Sequence, residues 1–76
     1  MKILEGNPIQ EKEIEILHKI KALREQKSFS QYEMGQRLGI SQNAYYKIEK
    51  GHTRLDLRRL IQLSSIFEIE LCKLVC

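Results

Sequence analysis

No apolar run in this 76-residue chain approaches the roughly 20 residues that a membrane-spanning helix needs. Residues 1–8 also lack the long apolar stretch of a signal peptide. A cytoplasmic protein with no membrane partner is therefore expected. Cysteine is scarce, only Cys72 and Cys76, four positions apart. On one helix that spacing faces both thiols the same way but is poor for a mutual disulfide. A reducing compartment and buried or terminal thiols fit best. As zinc ligands the cysteines would need His18 and His52, a scattered set unlike the paired spacings of zinc fingers, so neither a metal nor a cofactor is expected. Ser-His-Asp groupings, phosphate loops and paired acid motifs are missing, and His18 lies among charged residues where a solvated imidazole is the ordinary reading. No catalytic residue is assigned, and an enzyme is not expected. Convincing strand alternation, internal repeats and low-complexity linkers are missing too. The length suits one domain over residues 1–76, with 1–7 as an N-terminal tail, and leaves no room for a separate catalytic or sensory domain.

What the chain does have is a mild positive charge with a location. The formal charge of +3 is carried by residues 28–59, which hold six basic and three acidic side chains, while the flanking segments cancel. Local positive charge favours an anionic partner, although a solvated basic face would account for it equally.

Helical punctuation recurs along the sequence. Asn7 and Pro8 suit N-cap and N1 positions, and Ile16, Ile20 and Leu23 recur at helical spacing as far as Gln26 or Lys27. Ser30 and Glu33 form a capping box, Phe29 can start a hydrophobic staple, and Met34 and Leu38 supply a buried stripe before Gly39 ends a helix of about two turns. Ser41 caps a third helix that stops at Gly51. Asp56 can cap a fourth, with Leu57, Leu60, Leu63 and Phe67 as its stripe, and Leu71, Leu74 and Val75 predict a short fifth. Gly35 inside the second helix costs about 1 kcal/mol relative to alanine, which points to a helix crossing too close for a larger side chain, or to a tolerated surface glycine. The expectation is an all-α domain of five helices.

Within the third helix, LGISQNAYYKIEKG carries two adjacent tyrosines. At about 100° per residue, Ala44, Tyr45 and Ile48 share one side, while Gln42, Asn43, Tyr46, Lys47 and Lys50 share the opposite arc. Tyr45 can fill a core. Tyr46 stands with amides and ammonium groups, the set that suits base edges and phosphates of nucleic acid.

Two short helices separated by Gly39, Ile40 and Ser41 match a helix-turn-helix. The ordered set Gln31, Met34, Gly35, Leu38, Gly39, Ile40, Tyr45 and Ile48 resembles the phage-repressor-like (Cro/C1, or xenobiotic-response-element) helix-turn-helix family. Arg24, Ser30, Glu49, Lys50, Gly51, Leu60, Leu63, Phe67, Ile69, Leu71 and Leu74 agree with it, so the likeness covers roughly residues 20–75. Gly35 stands where the family commonly has alanine, and Tyr45 where it has isoleucine or valine. The first helix begins about two turns earlier than in the smallest members, an extension to which the sequence gives no role.

The resemblance implies a lambda-repressor-like five-helix fold and a sequence-specific DNA-binding transcriptional regulator, a repressor, reading the major groove of double-stranded DNA with residues 41–50. Gln42, Asn43 and Lys47 are then the expected base contacts: the amides pair with adenine, and the ammonium donates to guanine. Gln31 at the positive end of the second helix anchors a phosphate. Ser41, Tyr46, Lys50 and Arg54 are the other expected phosphate contacts, with a thymine methyl or the stem of Lys50 as further places for the Tyr46 ring. Arg58 and Arg59 are left outside the site as solvated charge. Arg24 and Glu49 match an ion pair that ties the first helix to the end of the third. One such domain covers only about 600 to 1,000 Å² of protein surface on DNA, so a homodimer is expected, its self-contact placed on Ile61, Ile66, Ile69 and Leu74, unless these are core. The alternative is an antitoxin-type module that binds a toxin protein and represses its own promoter.

Overall fold

The computed structural model describes residues 7–76. Of the tail expected at residues 1–7, residues 1–6 lie outside the described residues, and Asn7 caps the first helix. Five helices follow one another: α1 (Pro8–Gln26), α2 (Gln31–Leu38), α3 (Gln42–Glu49), α4 (Leu57–Phe67) and α5 (Leu71–Val75). No strand occurs among the described residues.

Local chemistry sets each boundary. Asn7 accepts from the backbone N–H groups of Ile9 and Gln10, both at 3.1 Å, ahead of Pro8. Ser30 and Glu33 close the capping box reciprocally at 3.0 and 2.7 Å. Ser41 accepts from the N–H of Ala44 at 3.0 Å, and Asp56 from that of Arg59 at 2.8 Å. Gly39 and Gly51 end α2 and α3 at φ of +75° and +76°, a region that glycine enters without steric cost.

These caps aim the apolar faces inward. Ile20 of α1, Met34 and Leu38 of α2, Tyr45 and Ile48 of α3, Leu63 and Phe67 of α4 and Leu74 of α5 form one core. Leu57 departs from the expected α4 stripe: it is 65% exposed, because the first residue of α4 projects ahead of the packed face. Ser64 completes that face instead, its hydroxyl donating to the Ile61 carbonyl at 2.8 Å. The expected self-contact set also needs correction, since Leu74 is fully buried in its own chain's core. Ile66 and Ile69 are half-buried against that core, and only Ile61 of the four is well exposed.

The first two turns of α1 are exposed throughout, and its packing begins at Ile16. Ile16 and Leu17 pack on the core, and Lys19 donates to the carbonyls of Lys73 (3.1 Å) and Cys76 (2.5 Å), tying α1 to the last turn of α5. Both cysteines are exposed. Among the described residues no cluster of three or more His, Cys, Asp or Glu is placed to hold a metal, and no helix is long and apolar enough to cross a membrane.

Candidate nucleic-acid interface

The turn between α2 and α3 is built by close backbone approach. A Cβ placed on Gly35 would lie 2.8 Å from the carbonyl oxygen of Ile40 and 3.1 Å from that of Ser41. Gly35 itself accepts from the N–H of Ile40 at 2.8 Å. The close crossing expected of this glycine is present, and the backbone entering α3 makes it, rather than a side chain. The tight turn lets α3 pack across α2 with Tyr45 and Ile48 inward.

That rotation leaves Gln42, Asn43, Tyr46, Lys47 and Lys50 on the outer side of α3, all exposed. The adjacent tyrosines separate as their spacing predicts: Tyr45 is 0% exposed and Tyr46 40%. The ammonium of Lys50 sits 5.6 Å from the centre of the Tyr46 ring, within cation–π range. Of the placements expected for Tyr46, the packing with Lys50 is present, and the ring stays exposed beside it.

A cleft of about 330 Å³ runs beside this face. Ser41, Asn43 and Lys47 line one side of it, and Thr53, Arg54, Asp56 and Arg59 the other. Ser41, Asn43, Lys47 and Arg54 are thus brought together. Arg59, left out by sequence reasoning, joins them, with one guanidinium N–H donating to Gln62 at 3.1 Å. Arg59 is half-buried at the cleft, whereas Arg58, one position earlier on α4, is exposed and does not line it.

Gln31 lies apart from the cleft. It is half-buried at the start of α2, and its side-chain amide donates to Oε1 of Glu49 at 3.3 Å. One amide N–H is therefore taken, leaving the other free of that bond. Glu49 also meets Arg24 as expected, with Nε to Oε2 at 2.6 Å and Nη2 to Oε1 at 3.4 Å. The Arg24 and Glu49 side chains are only 12% and 4% exposed. Sequence reasoning missed that the Tyr45 hydroxyl donates to Glu49 Oε2 at 2.6 Å, although positions four apart on a helix are neighbours.

These contacts fix the charge states. Burial pushes the Glu49 carboxyl up, but hydrogen bonds from Arg24, Tyr45 and Gln31 outweigh it, and the group ends below its ordinary value. Burial, and then donation to Glu49, pushes the Tyr45 hydroxyl well above its ordinary value. The Arg24 guanidinium is raised by its bond to Glu49. The cluster is an ionised pair with a neutral phenol.

No curated protein and no solved structure matches the chain. A family model described as helix-turn-helix matches residues 20–74, spanning the last turns of α1 through α5. The chain belongs to the Cro/C1-type helix-turn-helix family, and is a DNA-binding domain of the kind that regulates transcription.

Proposed function

We propose that this protein is a sequence-specific transcriptional repressor, a binding protein and not an enzyme, that inserts α3 into the major groove of double-stranded DNA. The observation that carries the reading is the outward face of α3: amides, an ammonium group and a half-exposed tyrosine stand opposite two buried side chains on one two-turn helix. Gln42, Asn43 and Lys47 read base edges. Gln31, Ser41, Tyr46, Lys50 and Arg54 hold phosphates, fixing register without reading sequence. Arg24 and Glu49 hold the frame. The protein acts in the cytoplasm as a homodimer.

The exposed Ile9, Ile14, Leu57 and Ile61 favour a second reading, in which the same domain also binds a toxin protein and represses its own promoter. Copurification of a stable heteromeric partner would support that reading.

Selection of bound sites from random duplex DNA, followed by fluorescence anisotropy of variants, tests the first. Gln42→Ala and Asn43→Ala should each relax preference at particular base pairs, by about 1 to 3 kcal/mol for a bidentate contact. Tyr46→Ala and Arg54→Ala should weaken selected and scrambled duplexes alike, and Lys47→Ala should also flatten the salt dependence. If no sequence is enriched, or if Gln42→Ala and Asn43→Ala retain the wild-type preference, α3 is not the reading helix.

A further inference from the structure

The Glu49 carboxylate is where three helices meet, and each of its oxygens is shared by two donors. Oε2 takes Arg24 Nε and the Tyr45 hydroxyl, both at 2.6 Å. Oε1 takes Arg24 Nη2 at 3.4 Å and Gln31 Nε2 at 3.3 Å. Arg24 also donates through Nη1 to the carbonyl of Phe29 at 2.9 Å, just ahead of the α2 cap. A carboxylate only accepts, so the Gln31 amide must turn its NH₂ group toward Glu49. Because the amide is planar, that bond also sets the direction of the second N–H.

We infer that Tyr45 is a positioning residue for DNA binding: through Glu49, its hydroxyl holds the Gln31 amide in the orientation that grips a phosphate. This rests on the proposed phosphate contact of Gln31. The reason lies in the lengths of the four bonds. The guanidinium of Arg24 is a planar fork matched to a carboxylate, yet here one prong is short and the other long. The short bond from Tyr45 competes for Oε2 and tilts the carboxylate away from an even fork. Without that hydroxyl, the carboxylate turns to take both prongs equally, drawing Oε1 toward Arg24 Nη2 and away from Gln31. The Gln31 bond, among the weakest of the four, is lost, and its amide rotates freely at the start of α2.

Tyr45→Phe keeps the buried ring and removes only the hydroxyl, so the fold is retained and melting temperature verifies it. The test is a double-mutant cycle of Tyr45→Phe and Gln31→Ala, read as anisotropy on a labelled duplex selected with the wild-type protein and on a scrambled duplex. Tyr45→Phe should weaken both duplexes by about three- to tenfold, the scale of one hydrogen bond, and cause no further loss in the Gln31→Ala background. In the free protein, the Gln31 side-chain NH₂ resonances should move toward solvent-like shifts in Tyr45→Phe. Equal losses from Tyr45→Phe in both backgrounds, or unchanged Gln31 resonances, would show that Tyr45 acts only through packing and overturn the inference while leaving the Gln31 contact standing. If Gln31→Ala binds both duplexes like the wild type, the phosphate contact itself falls, and the positioning role with it.

Discussion

Glu49 shows how much one side chain can hold. Its side chain is only 4% exposed, and its donors come from α1, α2 and α3. Removing one member of a buried pair strands the other charge and costs about 3 to 5 kcal/mol, whereas an exposed pair contributes less than about 1 kcal/mol. Glu15, paired with Lys12 at 3.4 Å on the open surface of α1, is the natural comparison. Glu49→Ala should therefore lower the melting temperature far more than Glu15→Ala. The sign with pH follows from the direction of the shift. Because the folded carboxyl titrates below its ordinary value, Glu49 stabilises fully above the ordinary carboxylate range and loses that contribution as pH falls through the lower folded value. Glu49→Gln should make the acid limb of a stability-against-pH curve shallower. Equal melting temperatures for Glu49→Ala and Glu15→Ala would remove the buried pair from this account.

At the scale of elements, the turn between α2 and α3 sets two effects in opposition. Alanine at position 35 would gain about 1 kcal/mol of helix propensity over glycine, but its Cβ would lie 2.8 Å from a backbone oxygen that cannot swing aside. Contact at that distance wins, since relieving it means moving the whole entry to α3. Gly35→Ala should lower thermal stability despite its better propensity, and calorimetry decides the sign; a higher melting temperature would mean that the turn yields easily. The case also marks how far the sequence is legible. Caps, glycine stops and apolar spacing are local chemistry, so all five helices and the inward face of α3 could be read before any contact was known. Leu57 and Leu74 were misread because spacing identifies an apolar face without saying where along the helix the neighbouring elements end. Arg59 and the Tyr45 hydroxyl were missed because a cleft and a shared carboxylate are properties of several helices brought together.

For the whole molecule, the question is whether one copy is enough. The chain measures 41 × 26 × 22 Å, and a single domain of this kind covers about 600 to 1,000 Å² on DNA, little for tight specific binding. Pairing two copies doubles the contact and matches half-sites about 34 Å apart, one helical turn. With Leu74 consumed by the core, the apolar surface left on α4 for a second copy is Leu57, 65% exposed, and Ile61, 49% exposed. A net charge of only +3 opposes such pairing weakly. Sedimentation equilibrium should find a dimer, at high protein concentration or on a selected duplex. Ile61→Asp should weaken that association and reduce DNA affinity while leaving the melting temperature of the monomer nearly unchanged, as surface substitutions do. Leu74→Asp should instead unfold the chain, because it buries a charge without a partner. A protein that remains monomeric both free and on DNA, with one copy per selected site, would rule out pairing through α4 and require the specificity to come from a single α3.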